Sequence, residues 1–287
     1  MNNYEIKKYL DSQRRIINEY IKSNLEFYKN KIPSILEEAI DYSLFPGGKR
    51  LRPILVLEGG RLSKAQQEVV LPVALAVELI HNYSLIHDDL PALDNDDYRR
   101  NKPTLHKQFS EAIAILTGDA LLSLAFHILS KERINHEVIE LITEAIGPVG
   151  MIRGQVYDII QRNSNSKDKD PQLIIDYIYS DKTAKLIEVS LIAGYILGKE
   201  IDDKIKERLS SFGKLFGIAY QLWDDIKDFS LEEKKSFNLP KFIGLKEAHK
   251  KLNSLISSAI NIIKDLPDTD ILTYLVKLLL KKKNENN

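Results

Sequence analysis

The sequence predicts a single all-α domain, residues 1–287, of roughly ten helices. Apolar residues recur at helical spacing over long stretches. The runs 111–131, 184–198 and 204–222 lack the short alternation and regular turn spacing of strands. Prolines and glycines are few, 10 and 13, and gather at punctuation points.

Taken in order, those points are Pro46-Gly47-Gly48, Gly59-Gly60, Pro91, Gly147-Pro148 and Pro240. Between them, Leu71, Leu75, Leu79, Asn82 and Ile86 mark one helical face, and Ile113, Leu116, Ala120, Ser123 and His127 mark another. The polar stretch 161–171, QRNSNSKDKDP, reads as a loop. The tail ILTYLVKLLLKKK reads as a closing core helix with a solvated basic end rather than a membrane-surface helix. No linker divides the chain and no repeat recurs at a fixed period.

Composition removes several classes of function. At 44% hydrophobic the chain buries a sizeable core, and its 41 basic residues balance 41 acidic ones, which argues against a nucleic-acid footprint. Without cysteine there are no disulfides, thiolate nucleophiles or zinc–thiolate sites. The first fifteen residues have no apolar core, and no uncharged run approaches the ~20 residues of a membrane span. The expectation is a soluble cytoplasmic protein without integral membrane association. HExxH, GxSxG and GxGxxG are all missing, which removes zincin, hydrolase and Rossmann readings.

The chemistry concentrates in HNYSLIHDDLPALDNDDYRR, where Asp88, Asp89, Asp94, Asp96 and Asp97 fall within ten residues after an apolar helix. Such crowding is costly unless cations bind or water screens it. Hard oxygen ligands suit magnesium, which takes one or two carboxylates plus substrate phosphates. Pro91 ends or loosens the helix, letting Asp94 swing back toward Asp88. A solvated acidic loop is the plainer alternative; the adjacent Arg99-Arg100 weighs against it, because metals plus arginines at one helix mouth describe a diphosphate clamp. His81 stands two turns below Asp88 on the same side, as a core histidine or as part of that clamp.

A second acidic set lies in YQLWDDIKD. Gln221, Asp224, Asp225 and Asp228 share one helical face, and like charges four apart repel unless something binds between them. GGKRLRP adds Lys49, Arg50 and Arg52 beside two glycines that let a backbone approach an anion. DKTAK adds Lys182 and Thr183 at the start of an apolar helix.

From about residue 40 to 230 these segments, with LTGDALLSLAF and Gly154-Gln155, resemble the trans-isoprenyl diphosphate synthases, especially the bacterial farnesyl type. The resemblance implies an antiparallel helical bundle around a deep central cavity, usually a homodimer. It implies three magnesium ions per active site: Asp88 and Asp94, with Asp89 nearby, for two of them, and Asp224, with Asp225 and Asp228, for the third. Lys49, Arg52, His81 and Arg100 would hold the diphosphate of isopentenyl diphosphate. Arg99 and Lys182 would grip the allylic diphosphate, and Thr183 and Gln221 would line the place where the carbocation forms. Tyr83, with Ser84, would set product length as a floor or side wall of the cavity. The implied reaction is ionisation of the allylic diphosphate, attack by isopentenyl diphosphate and loss of a proton, with a 15-carbon product. A geranylgeranyl product, a non-catalytic prenyl-diphosphate-binding subunit and a terpene cyclase are the alternatives. The chain departs from the family after Asp228, where glycine-lysine is absent and Lys235, or Lys234, stands for a later lysine.

Overall fold

A computed structural model of the chain describes residues 1–45, 47–163, 171–229 and 238–280. It is all-α apart from one small hairpin. The long helices are α1 (Asn3–Glu26), α2 (Ser34–Leu44), α3 (Leu51–Leu62), α4 (Gln67–Asp88), α6 (Glu111–Lys131), α7 (His136–Ile146), α8 (Met151–Asn163), α10 (Lys185–Tyr195), α11 (Asp203–Asp228) and α13 (Leu245–Ile263). Shorter helical pieces are α5 (Leu105–Gln108), α9 (Pro171–Leu173), α12 (Leu239–Ile243) and α14 (Asp270–Lys277). A π-helical segment, Ile174–Ala184, joins α9 to α10. Such segments are rare and tend to mark functional sites.

The core is built on α3, α4 and α10, which are apolar around most of their circumference. α10 packs along α3 and α11, α4 along α6, and α11 along α13. Gly59-Gly60 do not break the chain, contrary to the sequence reading; they lie inside α3. A Cβ on Gly59 would sit 2.0 Å from the Leu191 carbonyl oxygen, and one on Gly194 would sit 1.9 Å from that of Val56. These glycines serve close helix packing, which outweighs their poor helix propensity.

Two other expectations are corrected. On α6 the buried face is Ala114, Thr117, Gly118, Leu121, Ala125 and Ile128, whereas Leu116, Ser123 and His127 are exposed. The offset follows from Gly118, where His87 presses so close that a Cβ would come within 2.2 Å of its Nε2. Residues 161–163 belong to α8 rather than to a loop. The basic end of the tail lies outside the described residues.

By length and composition α4 and α6 are each apolar enough to cross a membrane, but Glu78 and Asp119 interrupt them, so neither is an uncharged run of that length. α4 is a core helix with 72% of its apolar window buried; for α6 the share is 39%.

Candidate active site

α4 ends at Asp88, and a turn through Pro91 folds the chain back so that the Asp94 amide donates to the Asp88 carbonyl at 2.8 Å. Three of the acids expected to bind metal therefore stand together at one helix mouth. Asp89 accepts a forked interaction from Arg99, with Nε 2.8 Å from each carboxylate oxygen and Nη2 2.6 Å from Oδ1. Arg99 is held for this by the hairpin β1 (Tyr98–Arg99) and β2 (Lys102–Pro103), whose two-residue turn is Arg100-Asn101. Both turn residues have positive φ, 53° and 61°, the primed geometry that asparagine tolerates well. Burial pushes the Asp88 carboxyl up to about 6; Lys182 opposes the shift and Asp94 adds to it.

The second acidic set ends α11. Burial, then the charge of Asp228, raises Asp224, and Lys227, Lys49 and Arg99 oppose the rise. Asp225 is pushed by burial to about 7 even though Tyr179 and Gln221 donate to it. Its place is the end of a hydrogen-bonded chain: the Thr183 hydroxyl donates to Gln221 Oε1 at 2.7 Å, and Gln221 Nε2 donates to Asp225 at 2.9 Å. The Tyr179 hydroxyl donates to the same carboxylate and accepts from the Leu239 amide at 3.1 Å. Asp228 is exposed. The three acids of α11 thus sit in three different environments.

The π-helical segment joins the two sets. Lys182 Nζ lies 2.8 Å from Asp158 and 4.0 Å from Asp94, while its neighbour Thr183 reaches Gln221. Burial alone would lower Lys182, but Asp88, Asp158 and Asp94 outweigh it and keep the ammonium above the ordinary lysine value. The backbone comes close enough for this because α8 carries Gly154 there; a Cβ would sit 2.3 Å from the Lys182 amide nitrogen.

A separate cationic patch faces the same mouth. Arg52 Nη1 is 3.2 Å from His81 Nε2. Burial and then Arg52 and Arg100 hold the His81 ring well below its usual value, so it is neutral near pH 7. Arg100 donates to the Gly47 carbonyl at 2.6 Å and lies against Gly48. Lys49 stands 4.6 Å over the Trp223 ring, its ammonium lowered by burial and by Lys227. The Nε of Arg52 is a buried donor without a partner among the described residues. Arg50, the third cation of the basic turn, is taken up elsewhere. It pairs with Glu78, donates to Asn18 at 2.9 Å, and is buried.

Tyr83 is buried where α4 meets α6, edge-on to His87 at 5.5 Å between ring centres. The Ser84 hydroxyl is tied to its own helix through the His81 carbonyl at 2.8 Å. A cavity of about 650 Å³ lies between α1, α2 and α6, away from the acidic helix ends. Lys234 and Lys235 lie outside the described residues.

Three residues at the site escaped the sequence reading, Asp158, Arg162 and Tyr179, and Gln155 entered it only as part of the Gly154-Gln155 resemblance. Gln155, Asp158 and Arg162 share one face of α8, a spacing that identifies them in retrospect. Arg162 donates to Asp94 at 2.6 Å and forks onto Asp158. The Gln155 amide is buried with neither atom partnered among the described residues.

This geometry can be set beside known proteins. The family model described as polyprenyl synthetase matches residues 33–274. The chain belongs to the polyprenyl synthetase family. It is 39% identical over 242 residues to a farnesyl diphosphate synthase of Geobacillus stearothermophilus, a match covering 82% of this chain and 79% of that protein. It is 36% identical over 276 residues to the chloroplastic geranylgeranyl pyrophosphate synthase 7 of Arabidopsis thaliana, covering 90% and 78%. The structure of a geranyltransferase from Legionella pneumophila superposes with a TM-score of 0.87 at 32% identity, covering 96% of this chain and 97% of that one. A geranyltransferase from Helicobacter pylori, complexed with magnesium and isoprenyl diphosphate, gives 0.77 at 30% identity, covering 93% and 96%. This polyprenyl synthetase is a prenyltransferase, and more narrowly a trans-prenyl diphosphate synthase.

The donor set suits magnesium. Asp88, Asp89, Asp94, Asp224 and Asp228 offer only hard carboxylate oxygens, and burial has raised Asp88, Asp89 and Asp224 against their preferred charge. Among the described residues no three acids converge as a preformed metal site.

Proposed function

We propose that this prenyltransferase joins isopentenyl diphosphate head to tail (1′-4) to dimethylallyl and then geranyl diphosphate, giving farnesyl diphosphate. The observation that carries the reading is the bridge from one acidic helix end to the other through Lys182 and Thr183. On this reading two anionic sites and two cationic patches would share one reaction space.

Asp88, Asp94 and Asp89 would hold two magnesium ions and Asp224, Asp225 and Asp228 a third, three per site. Bound magnesium neutralises the allylic diphosphate as it leaves. Arg99 and Lys182 bind the same diphosphate, and Lys182 is kept charged for it by its acidic neighbours. Arg52, Arg100, Lys49 and neutral His81 bind the second diphosphate, giving the orphan Nε of Arg52 its acceptor. Breaking the allylic carbon–oxygen bond leaves positive charge on carbon. The oxygens of Thr183 and Gln221 face that charge, fixed by their mutual hydrogen bond before reaction begins. The double bond of isopentenyl diphosphate then attacks, and the departing diphosphate takes the proton. Tyr83, packed on His87, closes the apolar end and limits growth.

A second copy would cover the outward apolar residues of α6, Ile115 and Leu116, and the stripe Ile152, Val156 and Ile160 on α8. We read the protein as a homodimer on that basis and keep the expectation that it is soluble and cytoplasmic.

The test is an assay with magnesium, isopentenyl diphosphate and dimethylallyl diphosphate, with products resolved by carbon number. Fifteen carbons supports the reading and twenty replaces it with a geranylgeranyl synthase. No condensation would leave a prenyl-diphosphate-binding subunit. Diphosphate release from geranyl diphosphate alone marks a cyclase.

A further inference from the structure

We propose that Arg162 stands in for a magnesium ion on Asp94 before metal binds and becomes a diphosphate-binding residue once it does. The inference rests on the proposed synthase reading and adds to it a residue with two positions.

Arg162 reaches the site because α8 continues through it, seven residues beyond Gln155 on the same face. Its Nη1 donates to Asp94 Oδ1 at 2.6 Å. Its Nε donates to Asp158 Oδ1 at 2.9 Å, and its Nη2 pairs with Asp158 Oδ2. All three side chains are withdrawn from water: Arg162 is 23% exposed, Asp94 19% and Asp158 5%. Charge-assisted bonds of this kind are strong in such surroundings. Burial alone would lower the guanidinium's affinity for its proton; Asp158 and Asp94 together raise it instead.

Asp94 is also one of the acids assigned to magnesium. Arg162 occupies Oδ1 of that carboxylate, so an ion that takes Oδ1 displaces this contact. The two halves of Arg162 then behave differently. Its contact with Asp158 is made within one helix, one turn apart, and does not involve the metal ligand. Asp158 is fixed again by Lys182 at 2.8 Å. Arg162 therefore stays tethered through Nε and Nη2 while Nη1 loses its partner. An ion on Asp94 repels the freed group, and an arriving diphosphate attracts it. The group is already beside Lys182, which the synthase reading places on the allylic diphosphate. A planar fork with one arm on a carboxylate and one arm free suits a phosphate oxygen better than an ammonium would.

The resting site is thus closed by its own cation: Asp94 is neutralised before metal comes, and the same charge is handed to the substrate afterwards. Two consequences follow for magnesium. Binding of the ion alone is opposed by Arg162, and binding of ion and diphosphate together is aided by it.

The experiment measures binding rather than turnover. Metal-free wild type, Arg162→Gln and Arg162→Lys are titrated calorimetrically, first with magnesium alone and then with inorganic diphosphate in saturating magnesium. Arg162→Gln is expected to bind magnesium alone several-fold more tightly and magnesium–diphosphate about tenfold more weakly. Arg162→Lys falls between Gln and wild type for diphosphate. Unchanged magnesium affinity overturns the stand-in role; unchanged diphosphate affinity overturns the binding role; either result ends the proposal. Should the variants fail to fold, unmodified protein decides. Labelling by an arginine-specific dicarbonyl, mapped by mass spectrometry, should be several-fold faster at Arg162 with magnesium alone than without metal or with magnesium and diphosphate. Equal rates in the three states overturn the inference and leave the synthase reading standing. Wild type that binds no magnesium–diphosphate at all sinks both.

Discussion

Thr183 and Gln221, 38 residues apart in sequence, share a 2.7 Å hydrogen bond that ties the π-helical segment to the acidic end of α11. Gln221 passes the link to Asp225, and Tyr179 closes it onto the start of α12. The chain fixes which way the Thr183 oxygen points, so on the proposed reading the group that faces the developing cation need not reorient during reaction.

Thr183→Val keeps the shape and removes the oxygen. The expected result is a fall in kcat of roughly ten- to a hundredfold, on the scale of losing one oriented oxygen, with KM for both substrates changed less than threefold. Unfolding should shift by about 1 kcal/mol, the worth of one hydrogen bond. A variant whose KM rises while kcat holds would assign Thr183 to binding instead.

Asp88 tests the metal assignment and the pH dependence together. Its folded value, about 6, lies above the unfolded value near 4. Between those values the folded state holds more protons than the unfolded one, so stability falls as pH rises. The metal-free protein should therefore lose stability from about pH 4 through 6, and further toward 7 as Asp225 ionises. Asp88→Asn should flatten the Asp88 part of this loss and leave the metal-free protein at pH 7.5 as stable as wild type or more so. It should also abolish the magnesium-induced rise in melting temperature and cut turnover by orders of magnitude. Asp224→Asn should do the same to activity. Near-normal turnover in either would contradict the metal assignment.

His81 is neutral because burial and four nearby arginines, Arg52 foremost, keep it so. Its ring therefore contributes no inflection near pH 6.5 to binding of isopentenyl diphosphate. His81→Ala should raise KM for isopentenyl diphosphate about tenfold, leave KM for the allylic substrate within twofold, and keep the pH profile unchanged. An inflection near 6.5 in wild type that the substitution removes would show that the ring is charged by protonation.

Much of this site was legible because its acids are consecutive or a turn apart. Asp88, Asp89 and Asp94 fall in one short stretch, and Pro91 signals the fold-back that the Asp94 amide completes. Gln221, Asp224 and Asp225 needed only a continuous helix. What stayed hidden depends on contacts distant in sequence. Arg162 lies in a polar stretch that looks like a loop, and only its meeting with Asp94, 68 residues away, gives it meaning. Asp225 looks equivalent to Asp224 until Tyr179 is found against it. Gly59-Gly60 look like a break because the signal for close helix packing lies at Gly194, far along the chain. Arg50 and Arg52 are alike in sequence, and Glu78 and Asn18 decide that the first is structural.

The glycine contacts make a stability prediction of their own. Gly194→Ala drives a methyl group into the Val56 carbonyl, backbone against backbone, where no side chain can give way. The expected cost is about 3 kcal/mol or more, typical of severe overpacking, read as a lowered denaturation midpoint. Gly47→Ala, in open space but at φ 90°, should cost less, through backbone strain alone.

On the proposed reading, product length rests on Tyr83. Its ring packs edge-on to His87, and His87 in turn fills the notch at Gly118 on α6, so the two rings form one wall between the helices. Truncating the tyrosine removes the part of that wall nearest the growing chain. Tyr83→Ala should therefore shift the product from 15 toward 20 carbons, at a stability cost of about 3 kcal/mol for the lost aromatic packing. Ser84→Ala should change nothing, because its hydroxyl is tied back to the His81 carbonyl. Chromatography of the dephosphorylated products decides between them. A product distribution unchanged by Tyr83→Ala removes the residue from this role, whereas a shift seen with Ser84→Ala alone would place the wall on the opposite side of α4.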